Sequence, residues 1–343
     1  MMLMISLRQT INNMDLRTLL TTEAARINAV IEEDLFQLSK RHEPLLIEVL
    51  RYGLLGGGKR VRPFLLLTAA TLCGRRGSEC DALAIAFEYL HAATLFHDDI
   101  IDQSALRRGQ PAVHSKFGMV AAILAGDFLL THSMEIVGEY TGQRGLKSFN
   151  LATKGMVDGE FYQQRNADTI SLETGDYDEA VMRKTSLLIA GACEVGGLFA
   201  GGSEEEVAAL RCYGENLGRA FQIVDDQLDY LGDTSKTGKA VGNDLQEGKM
   251  TLPLLLAVQQ GTGAVRERLL EIISNVELRQ QAGSFVEVKD LIEKCGGFTA
   301  AREEAEKTMS RGISALDLFS APEVSDARAR LAALGQFVLH REK

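Results

Sequence analysis

Proline, tryptophan and paired cysteines are scarce or missing in this sequence. Its 343 residues include five prolines, no tryptophan and five scattered cysteines without a Cys-x-x-Cys pair. An odd number of scattered cysteines argues against a disulfide framework, and their spacing does not suit a zinc site. We therefore expect buried, reduced thiols.

Long hydrophobic runs are also lacking. We find no apolar run of the roughly 18 residues that span a bilayer, and the N-terminus has no clear signal-peptide pattern. We expect a cytoplasmic protein with at most peripheral membrane contact. Residues 1–13 are expected to be a poorly ordered extension, because the regular pattern begins just after Met14.

Basic residues are fewer than acidic residues, so the formal net charge is −10. A nonspecific nucleic-acid binder needs a basic surface, so we expect no nucleic-acid partner. The overall charge would also repel an anionic substrate. A phosphate-containing ligand would therefore depend on local clusters of arginine and lysine or on bound metal.

Strand signals are nearly absent, and glycine-rich breaks separate stretches rich in Ala, Leu, Glu and Arg. Helical patterns run over 16–52, 63–74, 81–102, 112–140, 145–165, 177–200, 204–231, 251–260, 263–274, 284–294, 298–317 and 323–341. Pro63 and Pro253 are expected at the first position of their helices. The sequence predicts an all-α fold with a single domain over residues 14–343.

An acidic cluster ends one apolar helix, in HDDIIDQSALRRG at residues 97–109. Asp98 and Asp102 are one helical turn apart and share a face, with Asp99 beside them. Like charges at this spacing repel each other, and a helix C-terminus already carries partial negative charge. The cluster is unfavourable unless a cation binds there.

The same DDxxD pattern recurs in FQIVDDQLDYLGD, residues 221–233. Asp225 and Asp229 again share a face, Asp226 lies alongside, and Gln222 is one turn before Asp226. A single acidic cluster of this kind can be a solvated helix end. Two such clusters, each at the end of an apolar helix, favour the interpretation that they bind a ligand. Carboxylates on helices suit Mg²⁺, which keeps several waters and bridges to substrate phosphates.

Basic residues accompany the acidic clusters. GLLGGGKRVRP, residues 53–63, begins like a P-loop, but Arg60 stands where the P-loop has Ser or Thr, and no strand precedes it. The remaining interpretation is a glycine turn that leads into a helix N-terminus with Lys59, Arg60 and Arg62, which is an anion site. Arg107 and Arg108 directly follow the first acidic cluster, which indicates combined metal and phosphate binding.

The remaining candidates are single residues with weaker signals. His91 lies two turns before Asp98 on the same face, so we expect it to contact ligand rather than serve only as a core histidine. The isolated cations are Lys184 (followed by Thr185), Lys239 and Lys249.

Together these motifs resemble the trans-isoprenyl diphosphate synthases of the polyprenyl synthetase family. The family's order is kept between about Leu46 and Pro253 by GGKRVRP, HDDIID…RRG, GEFYQ, KTSLL, FQIVDDQLDY and GNDLQEGKMTLP. The resemblance implies the all-α isoprenoid synthase fold, with antiparallel helices around a central active-site cavity, usually as a homodimer. It also implies an Mg²⁺-dependent prenyltransferase that adds isopentenyl diphosphate to an allylic diphosphate such as a farnesyl or geranyl primer.

The resemblance assigns roles to residues of this chain. The metal ligands would be Asp98, Asp102 and Asp225, and Asp99, Asp226 and Asp229 would complete an acidic mouth where the two motifs face each other. Isopentenyl diphosphate would be bound by Lys59, Arg62, His91 and Arg108. The allylic diphosphate would be held by Arg107, Lys184, Lys239 and Lys249, with Thr185 and Gln222 at the reacting centre. Ser186 stands where the family often has alanine.

Product length is the finer question. In this family, bulky aromatic side chains one turn below the first motif block the tunnel, and here Ala93 and Thr94 are small. We therefore expect a long-chain polyprenyl diphosphate of the kind used for quinone side chains. The floor of the tunnel would come from elsewhere, for example around Met134 and Ile136.

Other interpretations stay open. A short-chain farnesyl or geranylgeranyl diphosphate synthase differs only in product length. A terpene cyclase or squalene-type synthase would lack the GGKRVRP segment and, for a cyclase, the second aspartate motif. A non-catalytic regulatory subunit of a heteromeric synthase would be expected to have lost aspartates that this chain keeps.

Overall fold

The computed structural model describes residues 16–75, 77–168, 170–232, 242–281 and 283–341. These residues are almost entirely helical, which confirms the predicted all-α class. The helices are α1 Leu16–Ser39, α2 Pro44–Leu55, α3 Val61–Leu72, α4 Ser78–Ile101, α5 Val113–Phe117, α6 Met119–Asp168, α7 Thr174–Val181, α8 Leu187–Phe199, α9 Glu204–Leu231, α10 Asn243–Gln246, α11 Leu252–Gln260, α12 Gly263–Ser274, α13 Val276–Gln280, α14 Ser284–Lys294, α15 Gly297–Ala315 and α16 Ser325–His340. A π-helical turn, Met182–Ser186, lies between α7 and α8, and two 3₁₀ turns, Leu316–Leu318 and Pro322–Val324, precede α16.

The chain forms two compact units. The first contains residues up to 153 together with 191–211 and 318–333, and the second contains 154–190, 212–317 and 334–343. The predicted single domain over 14–343 stays a prediction, and the predicted extension over 1–13 lies outside the described residues.

Helix α4 is the centre of the first unit. Its residues from Leu83 to Leu90 are all buried, so it is apolar on every side, as expected for a helix enclosed by others. Glu79 and Asp81 lie in its first turn, where the helix dipole favours acidic side chains. Its last turn carries the first aspartate motif, so the packing of α4 fixes where those carboxylates lie.

A small hairpin follows α4. Strand β1, Leu106–Arg107, pairs antiparallel with β2, Gln110–Pro111. The two turn residues Arg108 and Gly109 have φ values of +53° and +76°, which is the arrangement of a type I′ turn. No Asn-Gly or Asp-Gly pair marks a turn here, so the sequence analysis missed this hairpin, although it positions both Arg107 and Arg108.

The second unit has its own apolar core. Tyr230 packs between Phe285, with ring centroids 5.9 Å apart, and Phe298, also at 5.9 Å. Apolar residues of α11, α12 and α14 complete this core. Since Tyr230 is the residue after Asp229, this packing fixes the end of α9 that carries the second aspartate motif.

Most predicted helices are present, with three corrections. The pattern over 16–52 is two helices, because residues 40–43 form a turn and Pro44 starts α2. The pattern over 112–140 is broken at Gly118, which separates α5 from α6. The predicted break between 140 and 145 is confirmed inside α6, where Gly142 (φ +60°, ψ −152°) has a non-helical backbone at a kink between two helical segments. Pro63 lies in the first turn of α3 but two residues after its start.

One helix is more apolar than expected. The segment Met119–Arg165 is long and apolar enough to cross a membrane by length and composition, with a mean hydropathy of 1.5 over its most apolar window. The sequence analysis found no such run because Gly, Thr, Ser and His, together with Asp127 and Glu135, interrupt the apolar residues. A bundle helix of a soluble protein meets the same criterion, so this helix alone does not indicate a membrane protein.

Candidate active site

The first aspartate motif divides into outward and inward carboxylates. Asp98 is half-buried and Asp102 is exposed at the end of α4. Asp99 is only 2% exposed. Successive helix residues are rotated by about 100°, so the second aspartate of the motif must point away from the other two. Asp98 and Asp102 therefore remain the carboxylates that can hold a metal.

The inward aspartate has a specific partner. Arg107 Nε donates to both oxygens of Asp99, at 2.7 and 2.9 Å, and Arg107 Nη2 lies 2.6 Å from Oδ1. This paired geometry holds the hairpin against the end of α4. Asp99 thus acts on the site through Arg107, which the resemblance assigns to the allylic diphosphate.

Basic side chains gather beside this motif, where Arg62, Arg107 and Arg108 are close enough to His91 for their charges to lower its pKa. We call Lys59, Arg62, His91 and Arg108 the basic cluster. Arg108 hydrogen-bonds to the carbonyl of Gly57, and a Cβ on Gly58 would lie only 3.1 Å from Arg108 Nη1. The φ of +145° at Gly58 also favours glycine. The glycine turn is therefore needed for the close approach of Arg108.

Burial is the main influence on the charges of the basic cluster, and repulsion between like charges adds to it. Desolvation, followed by the charges of Arg62 and Arg108, holds the pKa of His91 well below its usual range. Its imidazole is therefore neutral at pH 7 and donates a hydrogen bond from one nitrogen. Arg62 Nε is buried without a hydrogen-bond partner among the described residues. A buried guanidinium nitrogen without a partner, close to the charge of Arg108, fits a site that takes up an anion.

The second aspartate motif repeats the outward and inward pattern. Asp225 is exposed, and Asp226 is 3% exposed. Burial raises the pKa of Asp226 to about 7, although hydrogen bonds from Gln222 and Tyr177 partly offset this. Asp229 is half-buried, and burial together with the charge of Asp244 raises its pKa to about 6.

A chain of hydrogen bonds joins this motif to the predicted reacting centre. Thr185 Oγ1 donates to Gln222 Oε1 at 3.1 Å, and Gln222 Nε2 donates to Asp226 Oδ1 at 2.9 Å. The Tyr177 hydroxyl donates to Asp226 Oδ2 at 2.7 Å. The structure thus brings together Thr185, Gln222 and Asp226, which the sequence analysis had named separately.

Thr185 and Lys184 lie in the π-helical turn. The N–H of Leu187 donates to the carbonyl of Met182, five residues earlier. Gly218 on α9 makes room for this wider turn, because a Cβ there would lie 2.6 Å from Ser186 Cα. Single π-turns of this kind occur frequently at functional sites. Lys184 Nζ contacts Glu160 at 2.7 Å and Gln163 at 2.9 Å, so two residues of the GEFYQ segment orient it.

The other cations of the second unit also have acidic partners. Lys249 lies 3.2 Å from Asp244 and 2.6 Å from Glu247. Burial lowers its pKa, but these two carboxylates outweigh burial and raise the pKa above its usual value. Arg341 Nη2 lies 2.9 Å from Asp225 Oδ1, and its guanidinium stacks on Phe221 at 3.8 Å from the ring centroid. Lys239 lies outside the described residues.

The sequence analysis missed residues that act through the predicted ones. Tyr177, Glu160 and Gln163 position Asp226 and Lys184, and Arg341 pairs with Asp225. GEFYQ was recognised as a motif, so Glu160 had a signal, but nothing in the local sequence marks Tyr177 or Arg341. Their partners are distant in the chain, and only the fold shows the contact.

The residues fit magnesium in their chemistry. Among the described residues, no group of three or more His, Cys, Asp or Glu side chains is arranged to hold a metal alone. Mg²⁺ does not need such a group, because it binds one or two carboxylates and completes its shell with water and substrate phosphate. Asp98 and Asp102 are the carboxylates of the first unit that would hold the metal, and Asp225 is the exposed carboxylate of the second aspartate motif.

The comparisons with known proteins identify the family of the chain. The Polyprenyl synthetase family matches residues 43–289. The chain belongs to the polyprenyl synthetase family. This confirms the predicted prenyltransferase class and the isoprenoid synthase fold.

Individual members of the polyprenyl synthetase family cover nearly the whole chain. The octaprenyl diphosphate synthase of Escherichia coli (strain K12) is 33% identical over 322 residues, which is 94% of this chain and 96% of that protein. A short chain isoprenyl diphosphate synthase of Methanothermobacter thermautotrophicus is 35% identical, covering 83% of this chain and 87% of that protein. The crystal structure of a polyprenyl synthase from Caulobacter crescentus CB15, complexed with calcium and isoprenyl diphosphate, has a TM-score of 0.83 and 34% identity, with 96% and 97% coverage.

The predicted length-determining residues lie on α4 within the first unit. Ala93 is 2% exposed, and the half-buried Thr94 donates its hydroxyl hydrogen bond to the carbonyl of His91 at 2.9 Å. Of the predicted floor residues, Ile136 is buried and Met134 is half-buried. Deeper along α4, Phe87 packs edge-to-face on Phe149 with ring centroids 5.4 Å apart, and both rings are fully buried.

Proposed function

We propose that this chain is a long-chain trans-polyprenyl diphosphate synthase, which adds isopentenyl diphosphate units head-to-tail to an allylic diphosphate. The observation that carries the proposal is the basic cluster beside the first aspartate motif. Unpaired Arg62 Nε and neutral His91 offer donors to an anion, and Asp98 and Asp102 offer oxygen to a metal. A condensing enzyme needs both, whereas a cyclase needs no second diphosphate site.

The reaction begins with loss of the allylic diphosphate. Bound Mg²⁺ supplies Lewis-acid neutralisation of the departing diphosphate, and the Caulobacter structure holds calcium together with isoprenyl diphosphate. In the second unit, Lys184 and Lys249 would hold diphosphate oxygens, because contacts with Glu160 and Asp244 orient the two ammonium groups. The Thr185 hydroxyl donates to Gln222, so its oxygen lone pairs are left to face the positive charge that develops on the allyl group.

The second step is attack by the alkene of isopentenyl diphosphate. The basic cluster would fix that substrate by its diphosphate, so its double bond lies beside the allylic carbon. A proton is then lost to the departing diphosphate, since no side chain of the site is required as a strong base. Apolar residues of α4 would exclude water from the cation and the growing chain.

A long product is supported by the small side chain of Ala93 and by the octaprenyl relative. Relatives with short products are as similar in sequence to this chain as the octaprenyl relative, so sequence identity does not determine the product length. The side chains that line the tunnel must determine it. We propose that the Phe87–Phe149 pair ends the tunnel, because Phe87 lies two turns below Thr94 on the same face of α4 and both rings are fully buried. The product is expected to supply quinone side chains, with geranyl or farnesyl diphosphate as the primer.

We also propose a homodimer. Four apolar side chains at the start of α6 share one face and are exposed, from 39% at Ile123 to 70% at Val120, with Met119 and Leu124 between them. A contiguous exposed apolar patch marks an interface.

The variant Val120→Glu should place a charge within this apolar patch. We expect wild-type protein to be dimeric and the variant to be monomeric at micromolar concentration, measured by light scattering after size exclusion. Val276→Glu, at a site 54% exposed in the second unit, should leave the dimer intact. Equal masses for all three proteins would contradict the proposal.

Location in the cell stays a proposal as well. We propose a cytoplasmic protein whose apolar product leaves through peripheral contact with a membrane. The apolar face of α6 is assigned to the second copy of the chain rather than to lipid. Co-sedimentation with liposomes would test this, and detergent-resistant insertion would contradict it.

The reaction is tested by product analysis. Purified protein is incubated with radiolabelled isopentenyl diphosphate, farnesyl diphosphate and Mg²⁺, with an EDTA control, and products are separated by reverse-phase chromatography. We expect a long prenyl product that disappears with EDTA. Products that stop at fifteen or twenty carbons would keep the reaction and overturn the length. No incorporation with any allylic primer would overturn the proposed function.

A further inference from the structure

Arg60 lies between two predicted diphosphate ligands but points away from them. Lys59 is exposed, whereas Arg60 is 4% exposed and adopts a left-handed backbone, with φ +49°. Non-glycine residues seldom adopt this conformation, and they do so where surrounding contacts impose it. Arg60 is also the N-cap residue of α3, so its backbone sets where that helix begins.

The guanidinium of Arg60 contacts three other helices. Its Nε donates to Asn28 Oδ1 of α1 at 2.9 Å, and its Nη1 donates to Glu88 Oε1 of α4 at 2.6 Å. Its Nη2 donates to the carbonyl of Leu54, in the last turn of α2. The flexible glycine turn at 56–58 lies between Leu54 and Arg60, so this last contact closes the turn across its two ends.

Glu88 balances more than one cation. Its ion pair with Arg60 is buried, with side-chain exposures of 6% and 3%. Its carboxylate also stabilises the positive charges of Arg62 and Arg108. Glu88 therefore lies behind the basic cluster as a buried counter-charge, on the same helix as His91.

We propose that Arg60 is a positioning residue for isopentenyl diphosphate. By tying the start of α3 to α1, α2 and α4, it fixes Lys59 and Arg62 before the substrate arrives, so binding does not have to order the glycine turn. The inference rests on the proposed function of the basic cluster. The inference predicts that loss of Arg60 raises the KM for isopentenyl diphosphate and leaves the KM for the allylic substrate unchanged.

The test is the double variant Arg60→Met/Glu88→Leu. It removes one positive and one negative charge that lie 2.6 Å apart, so the net charge behind the basic cluster is unchanged, although Arg62 and Arg108 lose the counter-charge of Glu88. Replacing a buried ion pair with apolar residues of similar volume is often tolerated by the fold. We expect a melting temperature near that of wild type and a KM for isopentenyl diphosphate about tenfold higher or more, because small displacements of binding groups are costly. The KM for the allylic substrate and kcat should change little.

The matched control is the same exchange at Arg211 and Glu194, an ion pair of 3.0 Å in the first unit. That variant should keep both KM values. A wild-type KM for isopentenyl diphosphate in Arg60→Met/Glu88→Leu would overturn the inference. An equal rise of both KM values with a fall in kcat would also overturn it, since that pattern indicates general damage to the fold.

Two further measurements cover the remaining outcomes. If the double variant does not fold, Asn28→Ala removes one hydrogen-bond acceptor without changing charge, and should raise the same KM by a smaller factor. If wild-type protein does not condense the substrates, the proposed function fails. Calorimetric titration with isopentenyl diphosphate alone then tests Arg60 separately: weaker binding in the variant supports its positioning role, and equal binding overturns it.

Discussion

Replacing Asp98 with asparagine is expected to lower kcat by about a hundred- to a thousandfold, the scale found when one preorganised electrostatic contact to a transition state is removed. The amide keeps the size of the side chain but loses the charge that binds Mg²⁺. Asp98 lies at the C-terminal end of α4, where a carboxylate is unfavourable. We therefore expect the metal-free melting temperature of Asp98→Asn to stay at or above that of wild type.

The control lies at the other end of the same helix. Asp81 is in the first turn of α4, where the helix dipole favours it, and it pairs with Arg26. Asp81→Asn should lower the melting temperature slightly and leave kcat unchanged, the opposite of the result at Asp98. Thermal unfolding and steady-state kinetics on both variants measure the two effects. Equal kinetics for the two variants would refute the assignment of Asp98 as a metal ligand.

Replacing Ala93 with phenylalanine is expected to shorten the product by several isoprene units. Ala93 is one turn below the first motif, and a ring there would fill the path of the growing chain. Because Ala93 is 2% exposed, the added volume should also cost about 1–3 kcal/mol of stability. Ala92→Phe is the control, since that side chain points about 100° away around α4. Chromatography should show shorter products for Ala93→Phe alone, and an unchanged distribution would overturn the role of Ala93.

A longer product is expected when the proposed floor of the tunnel is opened. Phe149→Ala removes one ring of the fully buried Phe87–Phe149 pair, and should lengthen the product by opening space beyond the floor. The cavity also costs about 3–5 kcal/mol of stability, so the assay is run below the melting temperature of the variant. Unchanged product length would mean that the floor lies elsewhere, for example near Ile136.

Much of the fold follows from local signals in the sequence. Helices α9, α12 and α14 have the predicted bounds, Glu204–Leu231, Gly263–Ser274 and Ser284–Lys294, because their apolar period is regular and glycine, serine or proline marks their ends. The type I′ hairpin was missed because its turn is Arg-Gly, and its left-handed arginine is held by the Gly57 carbonyl far along the chain. Local sequence does not encode such a contact.

The residues of the candidate site could be predicted from the sequence, but the side chains with which they pair could not. The spacing of DDxxD already requires that the second aspartate points away from the first, so the burial of Asp99 and Asp226 follows from helix geometry. Their partners, Arg107 and Tyr177, do not follow from it. Nor does the inward direction of Arg60, which shares a run of cations with Lys59 and Arg62 and differs from them only by its backbone conformation.

The π-helical turn at Met182–Ser186 has a consequence for comparing distant relatives. A π turn holds one residue more than an α turn, so the helical wheel advances by about 100° between Val181 and Leu187. A wheel drawn without this step places every residue of α8 on the wrong face. In a relative that is one residue shorter here, the alignment gap belongs inside this turn. Such a relative would keep the helix and lose the protrusion that presents Lys184 and Thr185.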